Sequence, residues 1–239
     1  FGRVLFRQGD TLSLKGERGF YDGVTQILEV RKNVVLKHRN QTLYTDSLNY
    51  DRMYKNAYFF DGGKLVDGKD QLIADWGEYN TQSRQAVFYF GVKLNSGKSN
   101  IETDTLYYDA PKSQAHFKGP TTIVTNGDVV KTQDGYFDTK KDKVELFSRS
   151  TITSKEKVIT GDTLYRDKKT GIGQGYGNVI YVDKKNKNEL HADVFVYNEK
   201  TGKGFATKKA LLKDYSQGDT LFMHADSLKI ETMHINTDS

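Results

Sequence analysis

Carboxylates and imidazoles are the side chains here best suited to proton transfer or metal binding, and their placement is periodic. Asp46, Asp75, Asp104, Asp162, Asp193 and Asp226 stand at matching points of successive segments, with Glu17 and Gln133 completing the series. A catalytic carboxylate pair needs two unequal environments, so that one group keeps a proton and the other does not. A carboxylate copied from segment to segment has nearly equal environments, and turn chemistry explains it better. The histidines are His38, His116, His191, His224 and His234. His191 and His224 hold the same place in consecutive segments, which leaves open a shared metal or pH-sensitive pair beside plain surface positions. No H-E-x-x-H or cysteine cluster supports a metal enzyme. Gly171, Gly173, Gly175 and Gly177 alternate, but no Lys-Ser/Thr of a phosphate loop follows them. No serine has a nucleophile-elbow setting. These residues argue against an enzyme.

Taken as anchors, the eight positions lie 29 residues apart over the first five intervals, then 31 and 33. Three places before each anchor stand Leu14, Leu43, Leu72, Ile101, Val130, Ile159, Leu190 and Met223. The residue just before the anchor is always small. Four places after it come Tyr21, Tyr50, Tyr79, Tyr108, Phe137, Arg166, Tyr197 and Ile230, each followed by Asp, Asn or Glu. One supersecondary unit is thus copied about eight times, and stacking of the copies predicts an elongated body.

A chain of 239 residues suffices for one large all-β domain or two small ones. There are two prolines and no linker-like stretch, so a single domain over residues 1–239 is expected. The formal net charge is +5, from 36 basic and 31 acidic residues. Basic runs such as Lys140-Lys141, Lys168-Lys169 and Lys208-Lys209 lie near presumed turns. They read either as a solvated rim that protects strand edges or as a weak attraction for anionic partners. The absence of cysteine is compatible with an oxidising compartment. No apolar run is long enough for a membrane-spanning helix. The chain opens at Phe1 with no visible signal peptide, which points to a trimmed segment.

The segments are rich in Val, Ile, Leu, Thr, Tyr and Phe, and no helical stripe is sustained, so they read as strands. Turn-forming residues follow each anchor by six to ten places, as in Thr81-Gln82-Ser83-Arg84 and Glu199-Lys200-Thr201-Gly202. Thirteen places past the anchors come Val30, Phe59, Phe88, Phe117, Leu146, Gly175 and Ala206; nineteen places past come Leu36, Leu65, Leu94, Ile123, Ile152, Tyr181 and Leu212. A second turn holds Gly68, Gly97, Asn126-Gly127 or Gly218-Asp219. Each repeat is therefore two long strands, about sixteen in all. The apolar position before the anchor and the aromatic after it are seven residues apart, an odd number, so a flat strand would face them oppositely. A β-bulge or sharp corner at the anchor restores one face, with the small residue allowing the bend and the carboxylate capping free N–H groups. Two facing sheets with a filled interior follow. Gly173, Gly175, Gly204 and Ala206 thin that interior late in the chain, by strand crossing or by a cavity that widens between repeats six and seven. Both ends, Val4-Leu5-Phe6 and Leu228 to Ile235, alternate apolar residues; they invite strand addition, or missing parts of a longer protein cover one of them.

The segments Leu43-Tyr44-Thr45-Asp46-Ser47-Leu48-Asn49-Tyr50-Asp51, Ile101-Glu102-Thr103-Asp104-Thr105-Leu106-Tyr107-Tyr108-Asp109 and Leu190-His191-Ala192-Asp193-Val194-Phe195-Val196-Tyr197-Asn198 resemble the repeats of the OstA-like (LptA-like) family. That family includes a periplasmic lipopolysaccharide-transport bridge protein and the N-terminal domain of its outer-membrane partner. The likeness is greater to Bacteroides-type members. The resemblance implies an all-β, twisted, partly open β-jellyroll, a groove for the acyl chains of lipopolysaccharide, and edge-to-edge pairing with other OstA-like proteins or itself. It implies the periplasm of a Gram-negative bacterium, no cofactor and no nucleic acid. The expected lipid-binding interior is Leu43, Leu48, Tyr50, Phe59, Leu72, Tyr79, Phe88, Leu94, Ile101, Leu106, Tyr108, Phe117, Ile123, Phe137, Leu146, Ile159, Leu164, Leu190, Phe195 and Tyr197. Two alternatives are a polysaccharide-binding repeat protein, which would expose Tyr79, Tyr108 and Tyr197, and an envelope scaffold that binds no lipid.

Overall fold

The computed structural model describes residues 3–97 and 99–231. These form twenty-one strands, all paired antiparallel, in a β-jellyroll-like arrangement with no helix among the described residues. They fall into two compact units, Phe1–Asn126 and Gly127–Ser239. His234 and Ile235 lie outside the described residues.

The first unit holds β1 (Val4–Gln8), β2 (Leu12–Gly16), β3 (Arg18–Asp22), β4 (Ile27–His38), β5 (Gln41–Asp51), β6 (Asn56–Phe59), β7 (Gly63–Asp67), β8 (Asp70–Ala74), β9 (Trp76–Asn80), β10 (Gln85–Ser96), β11 (Ser99–Asp109) and β12 (Gln114–Thr125). The second holds β13 (Asp128–Asp138), β14 (Lys143–Leu146), β15 (Ser150–Thr153), β16 (Lys157–Gly161), β17 (Thr163–Asp167), β18 (Ile172–Asp183), β19 (Asn188–Asn198), β20 (Lys203–Gln217) and β21 (Asp219–Glu231). The count exceeds sixteen because five long strands are interrupted, as β2/β3, β6/β7, β8/β9, β14/β15 and β16/β17.

Each long strand bends at its middle, and its two arms pair with the matching arms of its neighbours. In the first unit β2 and β3 pair with the two halves of β4, β5 pairs with β7 through one arm and β6 through the other, and β8 and β9 pair with the two halves of β10. In the second, β13 pairs with β14 and β15, and β16 and β17 pair with the two halves of β18. Two rows of arms result, joined along the bend.

The change of face is real. In β11 the buried residues are Ser99, Ile101 and Thr103 before the anchor, then Leu106 and Tyr108 after it. The extra residues that make the corner belong to the strand opposite the anchor. Register skips from Arg31 to Val34 opposite Asp46, and from Tyr176 to Val179 opposite Asp193. Each skip contains two consecutive left-handed residues, Lys32 and Asn33 (φ 62° and 51°) or Gly177 and Asn178 (φ 74° and 45°). Such a bulge sharpens local twist and re-aims the strand. The small residue before the anchor has a steric reason too: a Cβ on Gly16 would overlap the Val30 side chain.

Turn chemistry falls mainly to the acid or amide five places past the anchor. Asp51 accepts from the N–H groups of Met53 and Tyr54, at 2.8 and 2.9 Å. Asn80, Asp138, Asp167 and Asn198 do the same for the two N–H groups in their own turns. Of the anchors, Asp46 caps a bulge directly, accepting from Asn33 N at 3.0 Å. Asp162 accepts from Asn178 Nδ2 and Arg149, and the carboxylates of Asp75 and Asp104 lie against Gly91 and Gly119. Asp193 meets Lys209 at 3.6 Å, and Asp226 takes part through its backbone oxygen, with Thr207.

Candidate functional site

The interior between the two rows of arms is the site. In the first unit Leu43, Leu48, Tyr50, Phe59, Leu72, Tyr79, Phe88, Leu94, Ile101, Leu106, Tyr108, Phe117 and Ile123 are all buried. In the second, Phe137, Leu146, Leu164, Leu190, Phe195 and Tyr197 are buried and Ile159 is partly buried. The aromatics Tyr79, Tyr108 and Tyr197 are only 3%, 4% and 7% exposed. The register holds less well in the first and last repeats. Tyr21 and Met223 are 44% and 45% exposed, because among the described residues β3 pairs with β4 alone and β21 with β20 alone.

The aromatic after each anchor does more than fill space. Its hydroxyl reaches across to the turn between the opposing arms. Tyr50 OH donates to Gln8 Oε1 at 3.1 Å; Tyr79 OH meets His38 Nδ1 at 2.9 Å and also bonds Gln41; Tyr108 OH faces Asp67 and Asp70, each at 3.4 Å. A buried hydroxyl needs such a partner. Burial pushes the Tyr79 phenol up to about 12, and raises that of Tyr108 as well. Burial also lowers the His38 imidazole, helped by Arg39 and Arg84. These polar clasps fasten the arms along the side away from the bend. They escaped the sequence reading, although polar residues recur eight and five places before the anchors: His38 and Gln41, Asp67 and Asp70, Ser96 and Ser99, Thr125 and Asp128.

The second unit clasps its arms with charge. Arg166 replaces the aromatic, and its Nη2 contacts Asp128 at 2.5 Å and Glu199 at 3.2 Å, while Lys168 reaches Asp128 at 2.9 Å. Burial works against the Asp128 charge, but Lys168 and Arg166 outweigh it and hold the carboxyl below its usual value. One repeat on, Lys157 Nζ donates to Tyr197 OH at 3.2 Å and lies 4.9 Å from the centre of that ring.

Beside these groups lies a cavity of about 60 Å³, enough for a few waters. Ile152, Ile159 and Leu164 line it with the aromatic wall of Tyr181, Phe195 and Tyr197; Lys157, Arg166 and Glu199 border it. Tyr181 and Phe195 stack at 5.0 Å between centroids, with Tyr197 6.3 Å beyond Phe195. The space arises where Gly173 stands in β18. Of the expected interior residues, Ile159, Leu164, Phe195 and Tyr197 border this cavity; sequence reasoning missed the parts of Lys157 and Arg166.

His191 and His224 do not form a pair. Both sit on one rung, but Leu211 of β20 separates them, and His191 bonds Glu189. No cluster of three or more metal-ligating side chains occurs among the described residues.

Residues 1–104 match the model of the OstA-like protein family. No curated protein matches the chain in sequence. Among solved structures, LptH of Pseudomonas aeruginosa is described as the LptA-homologous periplasmic component of the conserved lipopolysaccharide transport device. It is similar at 10% identity over 56% of this chain and 79% of its own, with a TM-score of 0.25. The family match covers the first repeats, and their register of aliphatic, small, acidic and aromatic residues runs on through the rest of the sequence.

Proposed function

We propose that the chain is a non-enzymatic carrier that takes acyl chains of lipopolysaccharide between the arms of its strands, in the periplasm of a Gram-negative bacterium. The observation that carries this reading is the cavity of the second unit, walled by Ile152, Ile159, Leu164, Tyr181, Phe195 and Tyr197. The OstA-like match supports it. Each methylene moved from water into such a wall gains about 0.8 kcal/mol. The cavity is small, so a chain enters only as the surrounding side chains give way. Polysaccharide recognition is the weaker reading, because Tyr79, Tyr108 and Tyr197 are turned inward. Residues 1–239 act as one repeat domain in this proposal. Among the described residues β21 is paired with β20 alone, and it offers an edge to an OstA-like protein or a second copy.

The test is displacement of a fluorescent lipid A analogue by lipopolysaccharide, for the wild type and Gly173→Leu. A Cβ at Gly173 meets nothing closer than 3.9 Å, so the leucine grows into the cavity without backbone strain. Saturable displacement, weakened at least tenfold by the substitution, is expected. Absence of saturable binding, binding unaffected by Gly173→Leu, or displacement by delipidated polysaccharide alone defeats the proposal.

A further inference from the structure

We infer that the second unit's cavity also reads an anion: Lys157 and Arg166 hold the phosphate or carboxylate of an amphiphile whose chain fills the apolar part. The acyl-chain half of this inference rests on the reading above; the anion half has evidence of its own.

Arg166 is the first part of that evidence. Its side chain is 9% exposed, and Nη2 alone makes its ion pairs. Nε and Nη1 are buried and have no hydrogen-bond partner. Leaving a buried donor unsatisfied costs about 1–3 kcal/mol, and more when the group is charged. The matching residues Tyr50, Tyr79, Tyr108, Phe137 and Tyr197 show that an aromatic fits this place in the repeat without such a cost. An arginine with idle N–H groups beside a cavity is explained by a ligand that accepts from them.

Lys157 is the second part. It borders the same cavity, and no carboxylate lies within ion-pair distance of it among the described residues. Its strand partner Asp183 is taken up by Asn186, at 3.0 and 2.8 Å. What Lys157 has instead are two phenols: Tyr197, which accepts from it and still has a proton to donate, and Tyr181 beside it. Glu199 also borders the cavity and opposes an anion, but its side chain is half exposed and faces Arg166 Nη2. Lys157, Arg166 and Lys168 against Asp128 and Glu199 leave one positive charge in excess. Ammonium and guanidinium groups at the edge of an apolar wall suit an alkyl phosphate or a fatty carboxylate.

The experiment measures displacement of the neutral dye 1-N-phenylnaphthylamine from the intact chain by decyl phosphate, decyl glucoside and inorganic phosphate. The expected result is that decyl phosphate binds at least tenfold more tightly than decyl glucoside and that inorganic phosphate displaces nothing. Lys157→Met and Arg166→Met should each cut that preference to about twofold or less, with decyl glucoside affinity unchanged. Arg166→Met leaves Asp128 with Lys168 alone and could unfold the unit; Lys157→Met breaks no carboxylate pair and decides the matter by itself. Equal binding of the two amphiphiles, or a preference that survives Lys157→Met, overturns the anion site and leaves the acyl-chain reading standing. Failure of both amphiphiles to bind sinks the acyl-chain reading. Displacement by inorganic phosphate overturns the amphiphile and shows a free-anion site.

Discussion

The two units share one strand frame and fill it differently. Thirteen places past the anchor the first unit carries Phe59, Phe88 and Phe117, all fully buried. The ring of Phe59 lies over Gly63 and Gly77, where a Cβ on Gly63 would come within 2.5 Å of it. At the same place the second unit carries Leu146, Gly175 and Ala206, and a cavity opens near them. The first unit fastens its arms with tyrosine hydroxyls, the second with Arg166, Lys168 and Asp128. Bulges and capped turns are alike in both, so the frame does not depend on how its interior is filled. The repeat can therefore trade packing for space in one region and keep its pairing.

Removing packing from the first unit should have the largest effect. Phe59→Ala leaves a void over two glycines that cannot collapse to fill it, and should cost about 3–5 kcal/mol. Denaturant unfolding followed by the fluorescence of Trp76, the sole tryptophan, reads that unit. A loss under about 1 kcal/mol would show that the ring is not what separates the two interiors. The same variant should gain a binding site for 1-N-phenylnaphthylamine, making the first unit resemble the second.

Acid should separate the units next. The His38 imidazole is lowered from 6.5, so its contribution is present above about pH 6.5 and is lost as pH falls through its folded value. Asp128 is lowered from 3.8, so its contribution is present above about pH 3.8 and is lost only in stronger acid. Between pH 7 and pH 5, hydrogen exchange corrected for intrinsic rates should quicken around β4 and β9 but not around β13 and β17. His38→Gln should abolish the difference. Equal acceleration in both places would refute it.

The smallest effect lies in the turns. Nine places past the anchor the backbone is left-handed in each repeat where that position is described: Gln26, Lys55, Arg84 and Ser113 in the first unit, Asp142, Gly171 and Gly202 in the second. Lys55→Gly should stabilise by roughly 0.5–1 kcal/mol, and Gly202→Ala should destabilise by a similar amount. Thermal midpoints that move the same way for both variants would count against a backbone origin.

Much of the frame was legible. The 29-residue register located the bends, the turns and the buried aliphatic and aromatic positions from Leu14 to Tyr197, because burial on one face leaves a fixed mark on residue type. The bulge was harder to place. Its residues, such as Lys32-Asn33 and Lys208-Lys209, look like ordinary surface positions, and their left-handed backbone is imposed by the neighbouring strand. The clasps were missed for a similar reason. Tyr79 and His38 are 41 residues apart, and nothing local to either records the contact.

By itself the sequence determined a β-repeat with two strands per copy, a change of face at each anchor and an apolar interior, since these follow from local periodicity and the odd spacing across the bend. Only the tertiary structure decided which interior positions are packed tight and which border space. It also decided that Arg166 lies buried with two nitrogens unmatched. Free volume and hydrogen-bond satisfaction depend on groups brought together from distant repeats, and a sequence period describes each repeat one at a time.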